Sequence, residues 1–103
     1  MSEWKDVASV EEIGPSGLEV MAGEEAVLLL RDGGEVRALG ALCSHQEMGL
    51  AGGRLEEGAW VCPHHGARFC ARTGEALSMP AVEPVPAFEV KVEGGRVLVK
   101  EPA

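Results

Sequence analysis

Positive charge is scarce in this sequence. Its 103 residues carry nine Lys and Arg against 17 Asp and Glu, which gives a formal net charge of −8. Nucleic acids and anionic membrane surfaces are bound through patches of Lys and Arg. The charge balance therefore argues against both as partners. It permits docking to a protein with a basic face, because complementary charge raises the rate of encounter.

Long hydrophobic runs are also missing. No apolar stretch approaches the ~20 residues needed to span a bilayer. The first residues, Met1 to Asp6, have neither the basic region nor the apolar core of a secretory signal. We therefore expect a soluble, cytoplasmic protein that does not enter the membrane. Its length and its 46% hydrophobic content predict one domain, covering residues 1–103.

Cysteine is rare, and its placement is informative. Three cysteines are an odd number, and a disulfide framework is not expected in a protein without a secretory signal, in reducing surroundings. Two of them begin the motifs Cys43-x-His45 and Cys62-x-x-His65, which are sixteen residues apart. Thiolate and imidazole ligands suit iron or zinc rather than calcium or magnesium. The third, Cys70, lies outside both motifs and is expected to be a buried structural thiol.

The paired motifs resemble the Rieske iron–sulfur pattern, C-x-H…C-x-x-H. The resemblance continues to Phe69 and to the Thr73-Gly74 pair. It implies one [2Fe-2S] cluster per chain, in which two cysteines hold one iron and two histidines hold the other. The implied ligands are Cys43, His45, Cys62 and His65.

A structural zinc site is the alternative for the same four ligands. Zinc fingers favour ligand pairs separated by about two to four residues, whereas a single residue separates Cys43 from His45. Pro63 and Gly66 also belong to the Rieske pattern. His64 stands at a non-ligand position of that pattern and is not expected to bind iron. A zinc-stabilised binding module is therefore the less favoured reading.

The residues near the motifs indicate an electron carrier with a low reduction potential. Nothing there resembles a nucleophile or an acid–base pair, so an enzyme is not predicted. High-potential Rieske proteins carry an extra cysteine in each loop, and Met48 and His64 replace those cysteines here. They also carry Ser and Tyr hydroxyls beside the cluster, where this chain has Ala67 and Phe69. Hydrogen bonds to the sulfurs stabilise the added electron, so their absence lowers the potential.

These features resemble the Rieske ferredoxins that serve aromatic-ring-hydroxylating dioxygenases. The resemblance implies an electron-donating reductase, linked to flavin or NAD(P)H, and an accepting oxygenase or reductase. A second hypothesis is a small subunit that stays bound inside a larger enzyme, such as a nitrite reductase. Some such subunits have lost the ligands, whereas all four remain in this chain.

The hydrophobic pattern predicts an all-β protein. Ala26 to Leu30 is a continuous apolar run, typical of a strand buried on both faces, and Asp32-Gly33-Gly34 is a hairpin turn. Residues 88–93 and 96–100 alternate in hydrophobicity on either side of Gly94-Gly95. With the family resemblance, this predicts a Rieske-like antiparallel β-sandwich. A small, loop-rich cluster-binding subdomain is expected at roughly 43–81.

Shorter signals complete the prediction. Ser9 and Glu12 have capping-box spacing, but Gly14-Pro15 should end any helix within one turn. Leu18 to Met21 is a candidate strand. In the resembled family a proline-containing loop covers the cluster from a third side, and Pro80 is the best match for it.

The metal content provides the first test. We expect purified protein to contain about two iron atoms and about two acid-labile sulfides per chain. Replacing His65 by Ala should abolish the native cluster, whereas His64→Ala should leave it assembled. Metal analysis and visible absorption measure both. One zinc and no sulfide would contradict the prediction.

Overall fold

The fold is built almost wholly from short antiparallel strands. The computed structural model describes residues 4–41, 49–63, 66–77 and 84–100. Within these ranges no helix is long and apolar enough to cross a membrane. The strands are β1 (Lys5–Ser9), β2 (Leu18–Ala22), β3 (Glu25–Asp32), β4 (Glu35–Gly40), β5 (Arg54–Glu56), β6 (Ala59–Val61), β7 (Arg68–Cys70), β8 (Ala87–Glu93) and β9 (Arg96–Lys100).

Six of these strands form one large antiparallel sheet, in the order β1-β9-β8-β4-β3-β2. The first and last strands of the chain are neighbours, with Ser9 opposite Arg96. Arg96 also donates to Asp6 across this pair, at 2.7 Å from Nη2 to Oδ1. That hydrogen bond lowers the pKa of Asp6 and raises the pKa of Arg96. Both side chains are exposed, so the pair contributes little to stability.

The apolar run of β3 is buried on both faces, as the sequence predicts. Val27 and Leu29 face a core shared with β8 and β9, whereas Leu28 and Leu30 face a second core shared with β6 and β7. All four side chains are fully buried. Alternate residues of a strand point to opposite faces, so one strand contributes to both cores.

The segment predicted to be loop-rich contains a second sheet, with the order β5-β6-β7. Trp60 and Phe69 pair across β6 and β7 and pack on the second core. On an exposed surface of this sheet Arg54 pairs with Glu56, and Arg68 Nη1 lies 3.3 Å from Glu56 Oε1. The hydrogen bond from Arg54 lowers the pKa of Glu56. The sequence did not reveal this sheet, because strands of three residues are too short to show alternation.

The local predictions are confirmed. Two-residue glycine turns connect β3 to β4 and β8 to β9, with Asp32 opposite Glu35 and Glu93 opposite Arg96. A single 3-10 turn, Val10–Glu12, follows Ser9 and carries a capping box. Its Ser9 N donates to Glu12 Oε1 at 2.7 Å. The antiparallel all-β architecture predicted from the sequence is therefore correct.

The two faces of β3 allow a test of the single-domain prediction. Leu28→Ala and Leu29→Ala should each lower the free energy of unfolding by about 2–5 kcal/mol, because each leaves a buried cavity. Since β3 contributes to both cores, each variant should still unfold in one transition. Far-ultraviolet circular dichroism and tryptophan fluorescence should give coincident denaturation curves. Separate transitions for the two cores would contradict the prediction.

Candidate metal centre

The first predicted ligand loop begins after β4 and is closed at its base by a backbone hydrogen bond. Leu50 N donates to Ala41 O at 2.7 Å, and Ala41 N donates to Ala26 O at 3.0 Å. These two bonds attach both ends of the loop to β3 and β4. Cys43 and His45, with Met48, lie within this loop but outside the described residues.

The second loop begins at the end of β6. Cys62 N donates to Ala67 O at 2.7 Å, and Gly66 N donates to Cys62 O at 3.1 Å. Gly66 has a φ of 72°, a conformation that favours glycine. Cys62 itself is buried, with only 3% of its surface exposed. His64 and His65 follow Pro63 in the sequence and lie outside the described residues.

The bases of the two loops lie on one core. Ala41 and Leu50 of the first loop belong to the same buried cluster as Cys62 and Ala67 of the second. The loops also approach each other directly, since a Cβ atom on Gly52 would lie 3.9 Å from Pro63 Cγ. The fold thus brings together the segments that carry both motifs. The ligand positions themselves remain a prediction from the sequence.

A third segment, around Val85, packs against the turn that follows β7. Val85 is buried, and its N–H donates to Gly74 O at 2.9 Å. Gly74 has a φ of 79°, and a Cβ atom there would overlap the carbonyl oxygen of Val85. This contact explains why glycine is needed in the Thr73-Gly74 pair. Pro80, predicted to cover the cluster, lies outside the described residues.

The described surroundings of Cys62 fit an iron–sulfur cluster. The candidate iron ligand is a cysteine at the base of a loop. The residues beside it are small: Ala41 and Ala67 share its buried cluster, and Gly66 donates to its carbonyl oxygen. In the described ranges no polar or charged residue is fully buried. An apolar shell with few hydrogen-bond donors is a feature that tunes reduction potential.

Cys70 differs from the expectation in its exposure. It is the last residue of β7 and is partly exposed rather than buried. Phe69 points into the core, so the neighbouring Cys70 points to the opposite face of the small sheet. A hydrogen bond with the Thr73 side chain lowers the pKa of its thiol. Its orientation agrees with its exclusion from the ligand set.

Sequence reasoning did not identify Trp60 and Leu50. The indole Nε1 of Trp60 donates to Leu50 O at 2.8 Å in the buried core. The sequence does place a tryptophan two residues before Cys62. A buried indole N–H usually finds a hydrogen-bond acceptor, so this tryptophan could have been predicted to bond near the site. Its partner could not be inferred, since it depends on the folding of the first loop.

The chain matches the Rieske [2Fe-2S] domain family over residues 3–89. It is 44% identical over 77 residues to the ferredoxin component of biphenyl 2,3-dioxygenase from Rhodococcus jostii, covering 75% of this chain and 72% of that protein. Among solved structures, the ferredoxin of carbazole 1,9a-dioxygenase from Nocardioides aromaticivorans superposes with a TM-score of 0.87. That pair is 35% identical and covers 97% of this chain and 98% of the other.

A second solved structure holds a ferredoxin in complex with the oxygenase of carbazole 1,9a-dioxygenase. Its similarity gives a TM-score of 0.85, with 29% identity over 97% of this chain and 96% of the matched chain. The names of these relatives describe electron-carrying components rather than catalytic subunits. The family match, the relatives and the cysteine at the base of the second loop lead to one conclusion. This chain belongs to the Rieske [2Fe-2S] family and is an electron-transfer protein rather than an enzyme.

Proposed function

We propose that the protein is a soluble carrier of single electrons from a flavin- or NAD(P)H-linked reductase to a terminal oxygenase or reductase. The observation that carries this proposal is the match, over nearly the whole of both chains, to the ferredoxin of carbazole 1,9a-dioxygenase. A related ferredoxin has been seen bound to its oxygenase. The acidic balance of this chain, −8, suits a partner with a basic docking face.

The proposed ligand set is Cys43, His45, Cys62 and His65. When bound, the cluster supplies one-electron redox chemistry. The protein's own contribution is to fix the two loops, to exclude water from the base around Cys62 and to limit hydrogen bonding to the cluster. Support for the site comes from the shared core beneath both loops and from the buried position of Cys62.

A cytoplasmic location is part of the proposal. Cys70, which lies outside the proposed ligand set, forms no disulfide with another described cysteine. Free thiols are typical of reducing compartments, whereas exported small domains commonly pair their cysteines.

The carrier function is tested by coupled electron transfer. Purified protein is mixed with NADH, a reductase from a ring-hydroxylating dioxygenase system and cytochrome c as the acceptor. We expect substoichiometric amounts of the protein to accelerate cytochrome c reduction over many turnovers, because a carrier is re-reduced after each transfer. The His65→Ala variant serves as the control without a native cluster. No acceleration over that control would contradict the proposal.

A bound subunit of a larger enzyme is the second candidate. The small subunit of a putative NADH-dependent nitrite reductase from Mycobacterium tuberculosis has the same fold at 24% identity, a likeness that concerns the fold alone. Gel filtration of native extract distinguishes the two candidates. A free carrier should elute at the size of a single 103-residue chain or a small oligomer, whereas a bound subunit should elute with a much larger oxidoreductase.

The potential should lie near the low end of the Rieske range. Ala67 and Phe69 are both fully buried and carry no hydroxyl. We expect a midpoint potential below about 0 mV, nearer to about −150 mV, at neutral pH. The double variant Ala67→Ser with Phe69→Tyr should raise it by roughly 60–130 mV for each hydroxyl that reaches the cluster.

Protein-film voltammetry measures these potentials. Ala71→Ser is the matched control, because Ala71 is equally buried in the same core but bonds to Gly58 at the far end of β7. Its potential should stay at the wild-type value. A wild-type potential of about +200 mV or more, near the upper part of the Rieske range, would show that the hydroxyl argument fails.

A further inference from the structure

Trp60 connects the two ligand loops through a single side-chain hydrogen bond. It occupies the centre of β6, opposite Leu55 of β5 and Phe69 of β7, and only 1% of its surface is exposed. Its Nε1 donates to Leu50 O at 2.8 Å. Along the backbone it lies two residues before Cys62, so its position is coupled to that of the cysteine.

Leu50 is the residue that closes the first loop. Its N–H donates to Ala41 O at 2.7 Å, and its carbonyl also accepts from Gly53 N at 3.3 Å. The connection therefore runs from Ala41 through Leu50 to the Trp60 indole and then along β6 to Cys62. It links the base of the loop that carries Cys43 to the base of the loop that carries His65.

Two glycines make room for the indole. At Gly53 a Cβ atom would lie 3.0 Å from Trp60 Nε1 and would overlap the carbonyl oxygen of Val61. At Gly17, where φ is +80°, it would lie 3.1 Å from Trp60 Cη2. Both glycines thus lie close to the edge of the ring that runs from Nε1 to Cη2, and a side chain at either position would displace the indole from its bond to the Leu50 carbonyl.

We propose that Trp60 is a positioning residue for the [2Fe-2S] cluster: its indole N–H sets the separation of the two ligand loops. This inference rests on the proposed ligand set, in which each iron takes one ligand from each loop. A change in the separation of the loops then alters the geometry at both irons. In this proposal the apolar part of the ring packs in the core, whereas the N–H holds the first ligand loop at a fixed distance from the second.

The test separates loss of the N–H from loss of packing. Trp60→Phe removes the donor and part of the ring. Incorporation of 3-benzothienylalanine at position 60 removes only the donor, because sulfur replaces N–H in a ring of nearly the same shape. We expect both variants to lose the cluster about tenfold faster than wild type under native conditions, since one buried hydrogen bond is lost. The electron paramagnetic resonance g-values of their reduced clusters should also shift.

Two controls accompany these variants. Val97→Ala leaves a cavity in the other core, remote from both loops, and lowers stability without touching Trp60. Trp4→Phe changes the other tryptophan, which is exposed. Both controls should keep the wild-type g-values and, at a temperature equally far below their own Tm, the wild-type lifetime of the cluster.

The outcomes are distinct. If the benzothienylalanine protein keeps wild-type g-values and cluster lifetime, the N–H has no positioning role and the proposal is overturned. The same holds if Trp60→Phe behaves as Val97→Ala does at equal loss of Tm. Should Trp60→Phe fail to fold, the benzothienylalanine protein decides, because it preserves the packing. A wild-type protein that holds no [2Fe-2S] cluster would overturn the proposed function and this inference together.

Discussion

The complete burial of the four central residues of β3 is the constraint on which the rest of the structure depends. Four consecutive side chains, Val27 to Leu30, are withdrawn from water on both faces of one strand. Burying apolar surface is the main favourable term in folding, so both faces of this strand must be covered. Strands β8 and β9 supply the cover on one side, and the small sheet supplies it on the other. The small sheet is therefore packed against the main body of the protein, and the ligand loops start from a fixed base.

Both ligand loops are attached to that base by backbone hydrogen bonds and by the shared apolar cluster. Each loop is closed by a short backbone hydrogen bond, at Ala41 and Leu50 in one case and at Cys62 and Ala67 in the other. The ends of both loops lie in one apolar cluster, so their separation is determined by core packing. Protein interiors pack densely and resist small displacements. In the proposed ligand set each loop supplies two ligands, so a cluster bound there would depend on this fixed separation.

The scaffold alone does not determine the redox role, since the same fold occurs in ferredoxins and in a nitrite reductase subunit. A role is argued from the residues of the site rather than from the scaffold that carries them. Ala67 and Phe69 leave the second loop without side-chain hydroxyls, and the four candidate ligands are all present in the sequence. The whole chain carries eight more acidic than basic residues, a balance that favours a partner with a basic face.

The sequence by itself determined the features that depend on residues close together along the chain. The C-x-H and C-x-x-H spacings indicated the cofactor, and the glycine turns and the run at β3 indicated antiparallel strands. Such signals are readable because the residues that interact are close along the chain. Only the tertiary structure decided that β1 pairs with β9, that three short strands form a second sheet, and that Trp60 bonds to Leu50. These contacts join distant segments or depend on cooperative packing, and neither spacing nor periodicity encodes which surfaces meet. The half-exposed Cys70 belongs with them, because the exposure of a strand's second face depends on what covers it.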